Sequence, residues 1–171
     1  MNHLAIDLGT LSLEPNAHIL SIGAVFFDPV TGEMGDQFYV EIDPQHDQPG
    51  AHVSASTAAW WATQPAGVFP SGGKVMIGDA LRQFIAFIDS NVTPNERLRI
   101  YQQGYRDAMW LTNAAREQRL VMPWSYRDVF CARTLWKHSV VGANFVEYVG
   151  VAHNALDDAR LVATRMLEVV R

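Results

Sequence analysis

The run from Ala17 to Phe27 constrains the fold of this chain most. Its β-branched and aromatic residues, with small residues between them, read as a strand buried on both faces. An apolar run from Leu4 to Leu8 precedes it and reaches an acid, Asp7, near its end. The turn Asp28 to Glu33 follows, and Gln37 to Asp43 alternates as a half-buried strand does. The chain therefore opens as a three-strand meander.

Strands and helices interleave beyond that point. Ser54 or Ser56 is placed to cap a helix over Thr57 to Gln64, which Pro65 stops. Its adjacent Trp60 and Trp61 cannot share one helix face, so one ring belongs to the core and the other lies over a groove edge or stacks on a base. Ile77, Leu81, Phe84, Ile85 and Ile88 form one helical stripe. Arg97 to Gln103 reads as a strand, Gly104 as its exit, and Asp107 to Leu120 as a helix. A short extended piece and a helix around Phe130 to Trp136 come next, and Ala155 to Val170 is a periodic closing helix. This order predicts an α/β fold, a mixed sheet flanked by helices, and 171 residues make residues 1–171 a single domain by size.

Composition narrows the function classes. Hydrophobic residues at 49% and charged residues at 18% exclude a disordered chain. A net charge of −5 argues against a broad basic face that coats duplex nucleic acid, though not against an enzyme whose acids hold cations. No apolar run reaches membrane-spanning length and nothing reads as a secretory signal, so no membrane partner and a cytoplasmic location are expected. The single Cys131 excludes an internal disulfide and fits a reducing compartment. Five tryptophans are many for one small core, and a homodimer would suit that excess.

Three separated acids carry the chemistry: Asp7 at a strand end, Asp107 at a helix start and Asp158 in the closing helix. Taken singly, each is more readily a backbone cap than a ligand. Together they suit hard cations such as Mg²⁺ or Mn²⁺, which take oxygen ligands from several elements. His153 stands five residues before Asp158, and imidazole, which titrates near ~6.5 in water, is suited to accept a proton from an attacking water.

In this order the motifs resemble the DEDDh exonucleases of the ribonuclease H-like fold, closest to the branch of phage and prophage exonucleases and bacterial exoribonuclease-like proteins. The resemblance rests on Ile6-Asp7-Leu8, the strand Ile19 to Asp28, the Thr57 to Gln64 segment, Gly104 with Asp107 and Leu111, and the His-x4-Asp ending His153 to Asp158. It implies a metal-dependent 3′-5′ exonuclease acting on single-stranded DNA or RNA ends, with Asp7, Asp107 and Asp158 as ligands of two cations, Mg²⁺ or Mn²⁺, and His153 as the base. Leu8, Thr10, Leu11, Ser12 and Leu13 would cradle the terminal nucleotide, and Asp157 would support either the helix start or the ligands from behind. Arg106, Arg133 and Lys137 are candidates for phosphate contact.

The chain departs from the family pattern at Gly9, where the first motif, Asp-x-Glu, has its glutamate. Glycine offers no side-chain oxygen, so one ligand is lost and the resemblance implies a weakened or inactive site. The rest of the pattern is intact, which favours a recent or deliberate change at Gly9. Glu14, in the following turn, is the one nearby acid that could reach back. The turn from Gly104 to Asp107 is also one residue shorter than the branch leads one to expect. Two other readings compete: a catalytically dead module that binds a nucleic-acid end or a protein partner, and a fragment of an actin-like ATPase, whose first phosphate turn Asp7-Leu8-Gly9-Thr10 resembles. The second fails on size, because those proteins duplicate the fold.

Overall fold

The protein is described by a computed structural model over residues 1–139 and 146–170. Three antiparallel strands come first: β1 (His3–Thr10), β2 (Ile19–Asp28) and β3 (Glu33–Glu41). The helices α1 (Ala55–Ala62) and α2 (Ile77–Asn91) follow, then β4 (Arg99–Gln102), α3 (Asp107–Glu117), β5 (Val129–Cys131), α4 (Ala132–His138) and α5 (Ala155–Val169). The sheet order is β3-β2-β1-β4-β5, antiparallel through the meander and parallel from β1 to β4 to β5.

The period of two along the strands divides the core. Leu4, Ile6 and Leu8 of β1 join Ile22, Ala24 and Phe26 of β2 on one face, packed on α2 and α3. Ala5, Val25, Phe27 and Tyr101 point to the other face, against α4 and α5. β2 is buried on both sides along nearly all its length, as its composition predicts, because a helical layer covers each face of it. Ile77, Leu81, Phe84 and Ile88 of α2 form the expected buried stripe. Val162, Met166 and Leu167 do the same for α5, each burial being worth roughly 1.5–3 kcal/mol.

Local chemistry sets the helix starts. Ser54 accepts the Thr57 amide at the head of α1, and Asn154 accepts the amides of Leu156 and Asp157 at the head of α5. α3 has no capping side chain at Arg106; the buried Gln102, at the end of β4, accepts the Ala108 N–H at 2.7 Å instead. Phe130, expected in a helix, lies in β5 and stacks near Tyr101, because pairing with β4 outweighs local helix preference over these few residues. Trp61, Trp110 and Trp136 are buried and Trp124 packs against the core, whereas Trp60 is exposed. No helix among the described residues is long and apolar enough to cross a membrane.

One glycine decides how closely α5 approaches. Gly23 of β2 is the register partner of Asp7, and a Cβ added there would lie 2.2 Å from the backbone carbon and oxygen of Ala155. The first turn of α5 therefore rests directly on the sheet beside Asp7. Gly23→Ala is expected to cost about 1–3 kcal/mol in urea unfolding. A loss within ~0.5 kcal/mol, the usual span of a harmless surface change, would contradict this packing.

Candidate active site

A groove of about 670 Å³ opens at the carboxyl end of β1 and β4, where sheets of this type leave a crevice. Its floor and walls include Asp7, Asp107, Asp158 and His153, so all four residues singled out for chemistry meet in one place. Asp7 lies on the α5 side of the sheet, by the same alternation that puts Ala5 there. Asp107 is the first residue of α3, and Asp158 lies in the first turn of α5, where acids also complement the helix dipole.

The three carboxylates share a largely buried setting. Burial, and then the charges of Asp107 and Asp158, push the Asp7 carboxyl well above its usual range. Burial pushes Asp107 up to about 7, although its own amide and the Leu8 N–H both donate to it and Arg106 stands near. Asp158 is raised as well, chiefly by burial, against the hydrogen bond from Tyr148 and the neighbouring His153. Among the described residues no three acid, histidine or cysteine side chains are grouped closely enough to hold an ion. The donors are oxygens alone, which fits a hard divalent cation and not a soft one.

The loop before α5 is tied to these acids by its backbone. Val151 N–H donates to Asp157 and His153 N–H to Asp158, at 2.8 and 3.1 Å. The Tyr148 hydroxyl lies 2.9 Å from the other Asp158 oxygen, and Arg160 pairs with Asp157 at 2.6 Å. Asp157 thus supports the helix start, as expected. His153 has a left-handed backbone, φ 68°, and its ring meets Trp60 edge-on at 4.8 Å. Conformations of this kind are costly and cluster at functional sites. The Tyr148 contact had no local signature, since it joins residues ten positions apart across a turn.

The nucleotide-cradle residues divide. Leu8, Thr10 and Leu13 line the groove together with Gly9, whereas Leu11 and Ser12 do not. Leu11 holds the loop through its backbone, bonding His18 and Ser54. Ser12 is fully buried and pairs its hydroxyl with His52 Nδ1 at 2.7 Å, which fixes the loop from below. Trp61 is the core tryptophan of the pair and donates its indole N–H to the Thr10 carbonyl at 2.8 Å; Trp60 is the ring at the groove edge. Arg106 and Arg133 line the groove and Lys137 does not. Glu14 also lies outside the lining; its carbonyl accepts the Trp110 indole N–H, and its exposed carboxylate does not replace the one missing at Gly9.

Because the folded acids bind protons more tightly than unfolded ones near ~3.9, the stability they contribute is full below ~pH 4 and is lost as pH rises through about 7. In chelator-treated protein, the melting temperature of wild type should fall across that window relative to Asp107→Asn. A difference between the two that stays constant with pH would contradict the raised Asp107 pKa.

Comparison with known proteins bears on the chain as a whole. The family described as 3′-5′ exoribonuclease Rv2179c-like domain matches residues 2–170. Among solved structures, the nuclease domain of 3′hExo, a DEDDh family member bound to rAMP, aligns with a TM-score of 0.69 at 16% identity, covering 97% of this chain and 91% of that one. Cell-death related nuclease 4 (CRN-4) aligns with a TM-score of 0.69 at 13% identity, over 98% of this chain and 63% of that one. S. pombe Pop2p in its Mg²⁺- and Mn²⁺-bound form gives 0.64 at 12%, over 98% and 82%. No curated protein is similar enough in sequence to count as a relative. The shared architecture is the ribonuclease H-like α/β fold, and the chain belongs to the 3′-5′ exoribonuclease Rv2179c-like domain family.

Proposed function

We propose that this chain binds Mg²⁺ or Mn²⁺ through Asp7, Asp107 and Asp158 and removes nucleotides from the 3′ end of single-stranded RNA, with turnover weakened by Gly9. The observation that carries the reading is the convergence of three carboxylates, from β1, α3 and α5, on one groove floor where each is pushed toward its neutral form. A pocket that made no use of charge would gain stability by losing these acids. RNA is favoured over DNA by the description of the family.

Each part of the groove has a task in that reaction. A bound cation supplies Lewis-acid stabilisation of charge on the attacked phosphate and the leaving oxygen. His153, held by the hydrogen bond its backbone N–H donates to Asp158 and by the Trp60 edge, accepts the proton of the attacking water. Leu8, Thr10 and Leu13 support the terminal sugar and base, and Trp60 offers the base a ring to stack on. Gly9 follows Asp7 by two positions on the same strand face, so a glutamate there would add its carboxylate beside that of Asp7. A Cβ at Gly9 would stand 2.6 Å from the Ser21 hydroxyl, a side-chain end that can turn aside. A glutamate would therefore be admitted only once the buried Ser21 hydroxyl turns away.

The same glycine supports a second reading, in which the chain binds strand ends and does not cleave them. One assay separates the two: 5′-labelled single-stranded RNA and DNA with Mg²⁺ or Mn²⁺, comparing wild type, Gly9→Glu and Gly9→Glu/His153→Ala. Gly9→Glu should shorten RNA from its 3′ end faster than wild type, and the added His153→Ala should lower kcat by ~10²–10⁴. Equal activity of wild type and Gly9→Glu would overturn the account of Gly9. Binding without cleavage by every variant would favour the second reading.

A further inference from the structure

The walls of the groove differ in chemistry. On the α1 side stand Leu13, Trp60 and Trp61, apolar and aromatic; on the opposite side the turn from β4 to α3 and the head of α4 contribute Tyr105, Arg106 and Arg133. Arg106 and Arg133 are the arginines of the groove lining, and neither has an ion-pair partner among the described residues. Tyr105 is 67% exposed and belongs to neither core cluster, so packing does not account for an aromatic residue there. The Arg106 guanidinium lies over its ring, 5.0 Å from the centroid, which leaves the ring oriented and its other face free. Gly104, with φ 126° and nothing within 4 Å of an added Cβ, turns this segment outward from the body.

We propose that Tyr105, Arg106 and Arg133 form a subsite for the second nucleotide from the 3′ end, with its base stacked on Tyr105 and its phosphate held by the two guanidiniums. The inference rests on the exonuclease reading given above. If the terminal base lies against Trp60 and Leu13, the phosphate it hangs from crosses the acidic floor, and the strand leaves over the remaining wall. That wall is where the groove becomes cationic, as a phosphate chain requires once it has passed three acids. Stacking tolerates every base, so the subsite selects for single strands of at least two nucleotides and not for sequence. A paired strand could not place its base on Tyr105 without unstacking.

The test compares binding of 5′-AMP with that of a 5′-phosphorylated, phosphorothioate-linked adenosine dinucleotide, which resists hydrolysis and carries the second nucleotide's phosphate, to the full chain in Mn²⁺. Wild type should bind the dinucleotide about 5- to 150-fold more tightly than the mononucleotide, the range expected for one stacked base. Tyr105→Ala should lose most of that advantage and keep the 5′-AMP affinity, whereas Tyr105→Phe should retain both. The exposure of Tyr105 makes these changes safe for the fold. An undiminished dinucleotide advantage in Tyr105→Ala, or no advantage in wild type that binds 5′-AMP, overturns the subsite and leaves the function reading standing. Failure of wild type to bind either ligand overturns both.

Discussion

The contact on which the rest of the site depends is the seat of α5 on β2. The first turn of α5 lies where a side chain at Gly23 would otherwise project, and Gly23 pairs in register with Asp7. A helix standing farther off by one methyl group would carry Asp158 away from Asp7 and would slacken the loop of His153, which is hydrogen-bonded to that same turn. Burial of Ala159, Val162, Ala163 and Met166 holds the helix in its seat. Core packing on one side of the sheet thus fixes the distance between two charged groups at its end.

Holding those groups together has an electrostatic cost. Three carboxylates in a partly desolvated groove favour their neutral forms, and the protein lowers this cost only in part, through the Leu8 amide on Asp107 and through the Tyr148 hydroxyl and His153 amide on Asp158. A cation would remove the rest. On the proposed reading, Gly9 stands where a fourth acid would lie, so the floor carries less negative charge and a cation would be held less tightly. Stability without metal and competence with it are therefore opposed at this one position.

Much of the scaffold was legible because burial leaves periodic traces. The both-faces strand of Ala17 to Phe27, the α2 stripe and the α5 stripe each follow from the side chains that must avoid water. The acids were legible as a set through the order of their motifs, and the division between Trp60 and Trp61 followed from helix geometry. Other features left no local trace. β5 is a strand only because β4 offers an edge, so Phe130 reads as helical by itself. Ser12 looks like a groove residue from its position and is instead a buried partner of His52. Gly23, Tyr148 and Tyr105 act through neighbours distant in sequence or through the groove as a whole, which no spacing rule reveals.

The claim at the centre of this account is that Asp7, Asp107 and Asp158 form one cation site whose acids share the burden of burial. Isothermal titration of Mn²⁺ into metal-free protein near neutral pH, repeated in two buffers of different ionisation enthalpy, measures both binding and the protons it displaces. The account predicts saturable Mn²⁺ binding accompanied by net proton release, because acids held near neutrality must ionise to bind, and loss of both signals in Asp7→Asn. Mn²⁺ binding without proton release, or binding that Asp7→Asn leaves unchanged, would contradict it.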